Sequence, residues 1–148
     1  GTKVGMGISL LTTMRLSDVA NLTRENIQDG YLRKVISKSE QRRGEIRAAR
    51  LQWKLEQHPQ LAELIERGLI TAPPGCRFIV HERPKVRKLG KTKEHAHQML
   101  PRRLSDRFNE ARDAAGVGGE NPPTFHEIRS LGSFLLAQQE RRSRTSSR

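Results

Sequence analysis

The residues best suited to chemistry lie in a short segment that follows a Pro-Pro pair near the C-terminal end of the sequence. Thr124 and Glu127 have the spacing of a capping box, which predicts a helix that begins at Thr124. His126 then falls in the first turn, and Arg129 lies three residues later on the same face. Because the free N–H groups at a helix start favour anions, this segment predicts half of a phosphate-binding site.

A second candidate is Arg15, which stands just before another predicted helix start. Arginine binds phosphate through two parallel hydrogen bonds, which lysine cannot form. Asp18 follows three residues later and could hold the guanidinium in place. A simpler interpretation stays open for Arg15, His126 and Arg129, namely that they are ordinary surface charges of a basic chain.

Basic residues elsewhere predict contacts that give affinity without reading a base sequence. Lys38 ends the first strand of a predicted hairpin, where Lys34 competes with it for any special role. The stretch from Lys85 to Lys93 is predicted to be a loop. We expect these basic residues to touch a nucleic-acid backbone: Arg42, Arg43, Lys85, Arg87, Lys88, Lys91 and Lys93.

His95 and His97 form a His-x-His pair that could bind a metal ion. The sequence has no second cluster of Cys, His or Asp at suitable spacing, so a metal site is not favoured. Cys76 follows a turn-forming Pro-Pro-Gly and is expected to be a half-buried thiol rather than a nucleophile.

The composition favours an anionic partner. Lys and Arg number 28 against 16 acidic residues, which leaves a net charge of +12 over 148 residues. Nucleic acid is the first candidate partner and an acidic membrane surface the second. The sequence has no apolar run long enough to span a bilayer and no secretory signal pattern, and its single cysteine excludes an internal disulfide.

The pattern of apolar residues predicts an α+β fold that is mainly α, with a small antiparallel sheet. Helices are predicted over residues 4–14, 17–22, 59–68, 101–115 and 124–139. Strands are predicted over residues 31–37, 45–51 and 78–80. The last helix is expected to bury Ile128, Leu131 and Leu135, with Phe134 as a further candidate. Residues 1–140 would form one domain, followed by a disordered Ser- and Arg-rich tail over residues 141–148.

Three segments together resemble the catalytic domain of the tyrosine recombinases, and within them the lambda-like phage integrases. Thr12–Val19 is similar to the first arginine box of that family, and Asp29–Lys38 to its β-hairpin. Pro122–Leu131 is similar to the second box, His-x-x-Arg, which is the most specific part. The resemblance implies the fold of DNA breaking and rejoining enzymes.

The resemblance also implies a reaction, in which a tyrosine hydroxyl attacks a DNA phosphodiester and forms a 3′-phosphotyrosine. No metal or nucleotide cofactor is needed, because the covalent intermediate keeps the bond energy. Arg15 and Arg129 would stabilise the charge on the phosphorane oxygens, and Lys38 would protonate the leaving oxygen. His126 would hold or transfer a proton, and Asp18 would orient Arg15.

The chain departs from the family in one respect, since no His, Trp or Tyr follows Arg129 and its single tyrosine is Tyr31. We therefore expect a partial catalytic domain, truncated before the nucleophile, that binds duplex DNA but is inactive. The full-length parent would be phage- or prophage-encoded and would integrate or recombine DNA as a tetramer in the bacterial cytoplasm. The alternatives are a non-catalytic DNA-binding or regulatory module, a metal-dependent nuclease and a type IB topoisomerase.

Overall fold

The computed structural model describes residues 1–35, 50–85 and 90–147 of the chain. Some of the predicted site residues lie outside these ranges, so the structure says nothing of their position. They are Lys38, Arg42, Arg43, Arg87 and Lys88.

The described residues contain five α-helices, as the sequence predicts. Their bounds are α1 (Thr2–Thr12), α2 (Leu16–Ala20), α3 (Pro59–Ile70), α4 (Pro101–Ala114) and α5 (Phe125–Ser146). Proline occupies the first position of α3 and α4, where its fixed φ suits a helix start and its missing N–H costs nothing. The last helix is longer than predicted, because it continues past residue 139 through most of the segment expected to be disordered.

A three-stranded antiparallel sheet with the order β1-β2-β3 lies beside the helices. Its strands are β1 (Ile27–Gln28), β2 (Tyr31–Val35) and β3 (Arg50–Lys54). Asp29 and Gly30 join the first two strands, with φ of 52° and 77°. Two consecutive left-handed residues make the tight hairpin turn that an Asp-Gly pair favours. Of the predicted return strand at residues 45–51, residues 45–49 lie outside the described part of the chain, and β3 includes the last two positions and continues to Lys54.

The predicted strand at residues 78–80 is wrong as an element of the sheet. Phe78 forms an isolated bridge with Thr23, and the Ile79 N–H donates to the carbonyl of Leu22 at 3.0 Å. The segment is fully buried, as its apolar side chains require, but it runs beside the loop before β1 and not beside a strand. Burial therefore follows from the composition here, whereas strand pairing depends on which neighbour the fold supplies.

The core lies between all four of the helices α1 to α4 and the start of α5. Ile8, Val19, Leu104 and Phe125 each expose 2% or less of their surface there. The expected burial of the last helix is wrong for Leu131, Phe134 and Leu135 and right in direction for Ile128. The first three side chains are 50%, 58% and 41% exposed, while Ile128 packs against the core.

The buried face of α5 is set by a small residue. Gly132 is buried against α1, and a Cβ added there would overlap the carbonyl oxygen of Leu10. Phe125, Ile128 and Gly132 share this face, since they are spaced by three and four residues. A glycine carries no apolar signal, so the sequence pattern placed the buried face on the larger side chains next to it.

Candidate functional site

Three of the predicted site residues line one open cleft of about 470 Å³. They are Arg15, at the start of α2, and His126 and Arg129, in the first turns of α5. The start of α4 closes a third side. Residues from opposite ends of the sequence thus meet where two helices begin, a place that favours a bound anion.

Arg129 is fixed by its inner nitrogen. Its Nε–H donates to the carbonyl oxygen of Thr13 at 2.6 Å, and the side chain is half-buried. Thr13 ends α1 in the left-handed conformation, with φ of 58° and ψ of 17°, and its N–H donates to the Ser9 carbonyl at 2.8 Å. A guanidinium held through Nε keeps its two terminal NH₂ groups available for a bidentate acceptor.

Arg15 has a buried donor without an acceptor. Its backbone is extended and caps α2, where its carbonyl accepts the Val19 N–H at 2.9 Å. Within the described parts of the chain, Nη1 of Arg15 is buried and has no hydrogen-bond partner. An unpaired buried donor costs about 1–3 kcal/mol. Asp18 lies three residues on and is only 3% exposed, and its action on Arg15 stays a prediction.

The capping box at the start of α5 forms as predicted. The N–H of Thr124 donates to Oε2 of Glu127 at 2.7 Å, and the Thr124 hydroxyl donates to the same oxygen. The hydroxyl first, and then the backbone N–H groups, hold the pKa of Glu127 below its ordinary value. His126 stands between these two residues and is exposed at the mouth of the cleft.

Comparison with known proteins extends the likeness from the site to the whole architecture. No family model matches the chain. The lambda integrase catalytic core superposes with a TM-score of 0.68 at 22% identity, over 93% of this chain and 72% of that one. This chain has the lambda integrase core fold. The resemblance to the tyrosine recombinases is therefore confirmed at the level of the fold.

Larger solved forms of lambda integrase show the same likeness. A tetramer bound to a Holliday junction gives a TM-score of 0.69 at 24% identity, and a dimer bound to a COC′ core site gives 0.67 at 22%. The chain spans 35% and 45% of those two proteins. The integrase of Escherichia phage HK022 is 43% identical over 47 residues, which are 31% of this chain and 13% of that protein.

Two serine hydroxyl groups in the cleft were not among the residues that the sequence predicted for the site. Ser17 and Ser105 both line it, on α2 and α4. Ser17 stands between Arg15 and Asp18, so the first arginine box could have suggested it. Ser105 carried no signal, since only the packing of α4 beside α2 brings it there.

The basic loop is partly engaged in ion pairs. Nζ of Lys93 lies 3.4 Å from Oε1 of Glu82, and only 18% of the Lys93 side chain is exposed. Glu82 also accepts a hydrogen bond from Nε of Arg103 at 3.1 Å. Lys85 and Lys91 are exposed. The DNA contacts expected of these lysines stay predictions, and Lys93 is the least available of the three.

The histidine pair and the cysteine have local roles. Nδ1 of His97 lies 2.9 Å from the carbonyl oxygen of Glu82, and the His97 N–H donates to Nδ1 of His95 at 3.1 Å. Among the residues described, no group of three or more His, Cys, Asp or Glu is placed to hold a metal ion. Cys76 is 1% exposed, so it is more deeply buried than expected.

Tyr31 lies on the sheet, outside the lining of the cleft. It lies in β2 opposite Lys54, and the guanidinium of Arg33 stacks over its ring at 5.2 Å. It does not belong to the residues that line the cleft. No helix among the described residues is long and apolar enough to cross a membrane.

Proposed function

We propose that this chain is the catalytic part of a phage-type tyrosine recombinase, and that its full-length parent integrates or recombines DNA at specific sites. One observation carries the proposal. Arg15 and Arg129, from distant parts of the sequence, line the same cleft, and Arg129 is held there through its Nε–H. A scissile phosphate would be an acceptor for both guanidiniums and would bring the negative charge that offsets theirs.

In this proposal the two guanidiniums bind the non-bridging oxygens of the scissile phosphate. Their charge offsets the negative charge that grows on those oxygens in the transition state, and loss of one such donor lowers a rate by about 10²–10³. His126, exposed at the mouth of the cleft, would hold or transfer a proton beside the attacking oxygen. Lys38 remains the proposed acid for the leaving oxygen, and Asp18 the proposed support of Arg15.

Double-stranded DNA is the proposed partner. The net charge of +12 favours it, and solved lambda integrases are bound to core-site DNA as a dimer and to a Holliday junction as a tetramer. We extend the tetramer on DNA to the full-length parent of this chain. A phage- or prophage-encoded protein of this kind would act in the cytoplasm of its bacterial host.

The chain as given would bind DNA without forming a covalent adduct. Its single tyrosine lies in β2 and does not line the cleft, so no hydroxyl of that type is placed to attack a phosphate held by Arg129. A nicked suicide duplex should therefore give no protein–DNA adduct. A clear adduct would contradict this part of the proposal.

A binding experiment with matched variants tests the cleft itself. Arg129→Met and Arg141→Met each remove one charge from α5, but only Arg129 lines the cleft. Fluorescence anisotropy with a short nicked duplex should show a loss of about 10-fold or more for Arg129→Met, the value of a charged hydrogen bond. Arg141→Met should change affinity by less than about 3-fold. Equal losses in the two variants would refute a specific phosphate site.

Adding a tyrosine-bearing recombinase segment in trans separates the proposal from the rival DNA-binding module. Cleavage of the duplex restored by that segment would show a competent site. Intact binding with no cleavage would favour a module that occupies DNA without chemistry, as the position of Tyr31 allows.

A further inference from the structure

One turn of the chain touches both arginines of the cleft. It runs from Thr12, the last residue of α1, to Arg15, the cap of α2. Arg15 belongs to this turn, and Arg129 donates its Nε–H to the carbonyl of Thr13 at 2.6 Å. The separation of the two guanidiniums therefore depends on the conformation of three or four backbone units.

Buried hydrogen bonds fix that conformation. The Ser9 hydroxyl donates to the Met14 carbonyl at 2.9 Å, and the Thr12 hydroxyl donates to the Ile8 carbonyl at 2.6 Å. The Met14 N–H donates to the Thr12 oxygen at 3.3 Å. Between these anchors Thr13 has φ of 58°, which a β-branched residue rarely adopts. A residue keeps such a strained backbone conformation only where the surrounding contacts hold it there.

A glycine on α5 determines how closely that helix packs against α1 and the turn that follows it. Gly132 follows Arg129 by three residues and is buried against α1. A Cβ at this position would overlap the Leu10 carbonyl oxygen and would lie 3.3 Å from Cγ2 of Thr13. Only a residue without a side chain lets the helix come close enough for Arg129 to reach the Thr13 carbonyl.

We propose that the Thr13 carbonyl is a positioning group, which together with Gly132 sets Arg129 at the correct distance from Arg15 for one phosphate. The inference rests on the proposed function, because it assigns a purpose to the spacing of the two guanidiniums. Thr13 acts through Arg129 and touches no substrate itself. Its hydrogen bond occupies Nε and so presents both terminal NH₂ groups to the cleft.

The test compares Gly132→Ala with Ser133→Ala, its exposed neighbour on the same helix. In ¹⁵N-labelled protein the Arg129 Nε–H signal reports the hydrogen bond directly and without DNA. The parent chain and Ser133→Ala should share a signal protected from solvent exchange. Gly132→Ala should lose that protection by about 10-fold or more and should lose about 10-fold in affinity for the nicked duplex, the value of one charged hydrogen bond.

Two further variants test the hydrogen bond between Arg129 and the Thr13 carbonyl from the side of α1. Thr13→Gly retains the carbonyl and adopts the left-handed conformation freely, so it should retain the protected Arg129 signal. If Gly132→Ala does not fold, Ser9→Ala makes the same test by releasing the Met14 carbonyl, and it should reduce the protection as well.

The possible failures are distinguishable. A folded Gly132→Ala or Ser9→Ala protein with the parent's Arg129 protection and DNA affinity would overturn the positioning role. A parent chain that shows the protected Arg129 signal but does not bind the duplex would instead overturn the proposed function.

Discussion

Replacing Arg15 by methionine should stabilise the free protein and reduce its stabilisation by DNA. The change removes the buried Nη1 donor that has no partner within the described residues. Methionine keeps an unbranched apolar stem of similar length, so most of the packing along the side chain remains. The variant therefore tests whether the cost of the unpaired donor exceeds what the Arg15 charge contributes beside the buried Asp18.

The magnitude follows from that one atom. An unpaired buried donor costs about 1–3 kcal/mol, and incomplete repacking by methionine takes back part of the gain. We expect a net stabilisation of about 1 kcal/mol, which for a chain of this size raises Tm by roughly 2–4 °C. With added duplex the parent chain should become more stable than Arg15→Met, because a ligand at 100 times its Kd stabilises the protein that binds it by about 2.7 kcal/mol.

The assay is thermal unfolding followed by circular dichroism, without DNA and at increasing concentrations of a nicked duplex. Arg102→Met is the control, because Arg102 is exposed on α4 and does not line the cleft. The control should leave Tm without DNA unchanged and should keep the DNA-dependent rise. If Arg15→Met lowered Tm without DNA and kept that rise, Arg15 would act as a structural partner of Asp18 and not as part of an anion site.

Three other predictions concern pH and salt. The Thr124 hydroxyl lowers the pKa of Glu127 in the folded protein. The cap therefore stabilises the fold fully above the ordinary pKa of about 4.3, and this stability is lost as the pH falls through the lower folded-state pKa. Glu127→Ala should flatten that part of a plot of Tm against pH. Burial lowers the pKa of His81, so urea denaturation should show stability falling as the pH drops below about 6.5, and a His81→Gln variant in which this loss persists unchanged would contradict the assignment. DNA affinity should fall steeply with salt, and Lys91→Ala should reduce the slope of log K against log salt by about 1 if Lys91 meets a phosphate, whereas an unchanged slope would remove it from the interface.

Local signals predicted the parts of the fold that local physics determines. The capping box at Thr124 predicted where α5 begins, and the Asp-Gly pair predicted the turn between β1 and β2. These signals were reliable because each satisfies backbone groups within four residues of itself. The resemblance predicted that Arg15 and Arg129 lie close together in the fold, and both residues line the same cleft.

The parts that were missed depend on distant neighbours. The segment at residues 78–80 is buried as expected, but its partner is a loop and not a strand. Ser105 enters the cleft only because α4 packs beside α2. The buried face of α5 follows from the absence of a side chain at Gly132, and an absence leaves no trace in a pattern of apolar residues.

Gly132 also divides α5 into two parts of different character. Toward the N-terminus the helix is locked to the core through Phe125, and toward the C-terminus the apolar side chains of Phe134, Leu135 and Leu136 are 41–58% exposed. Fraying of the far end would therefore break few buried contacts and would leave the guanidinium of Arg129 in place. The protein can lose order over several helical turns while the two charges that face the cleft keep their spacing.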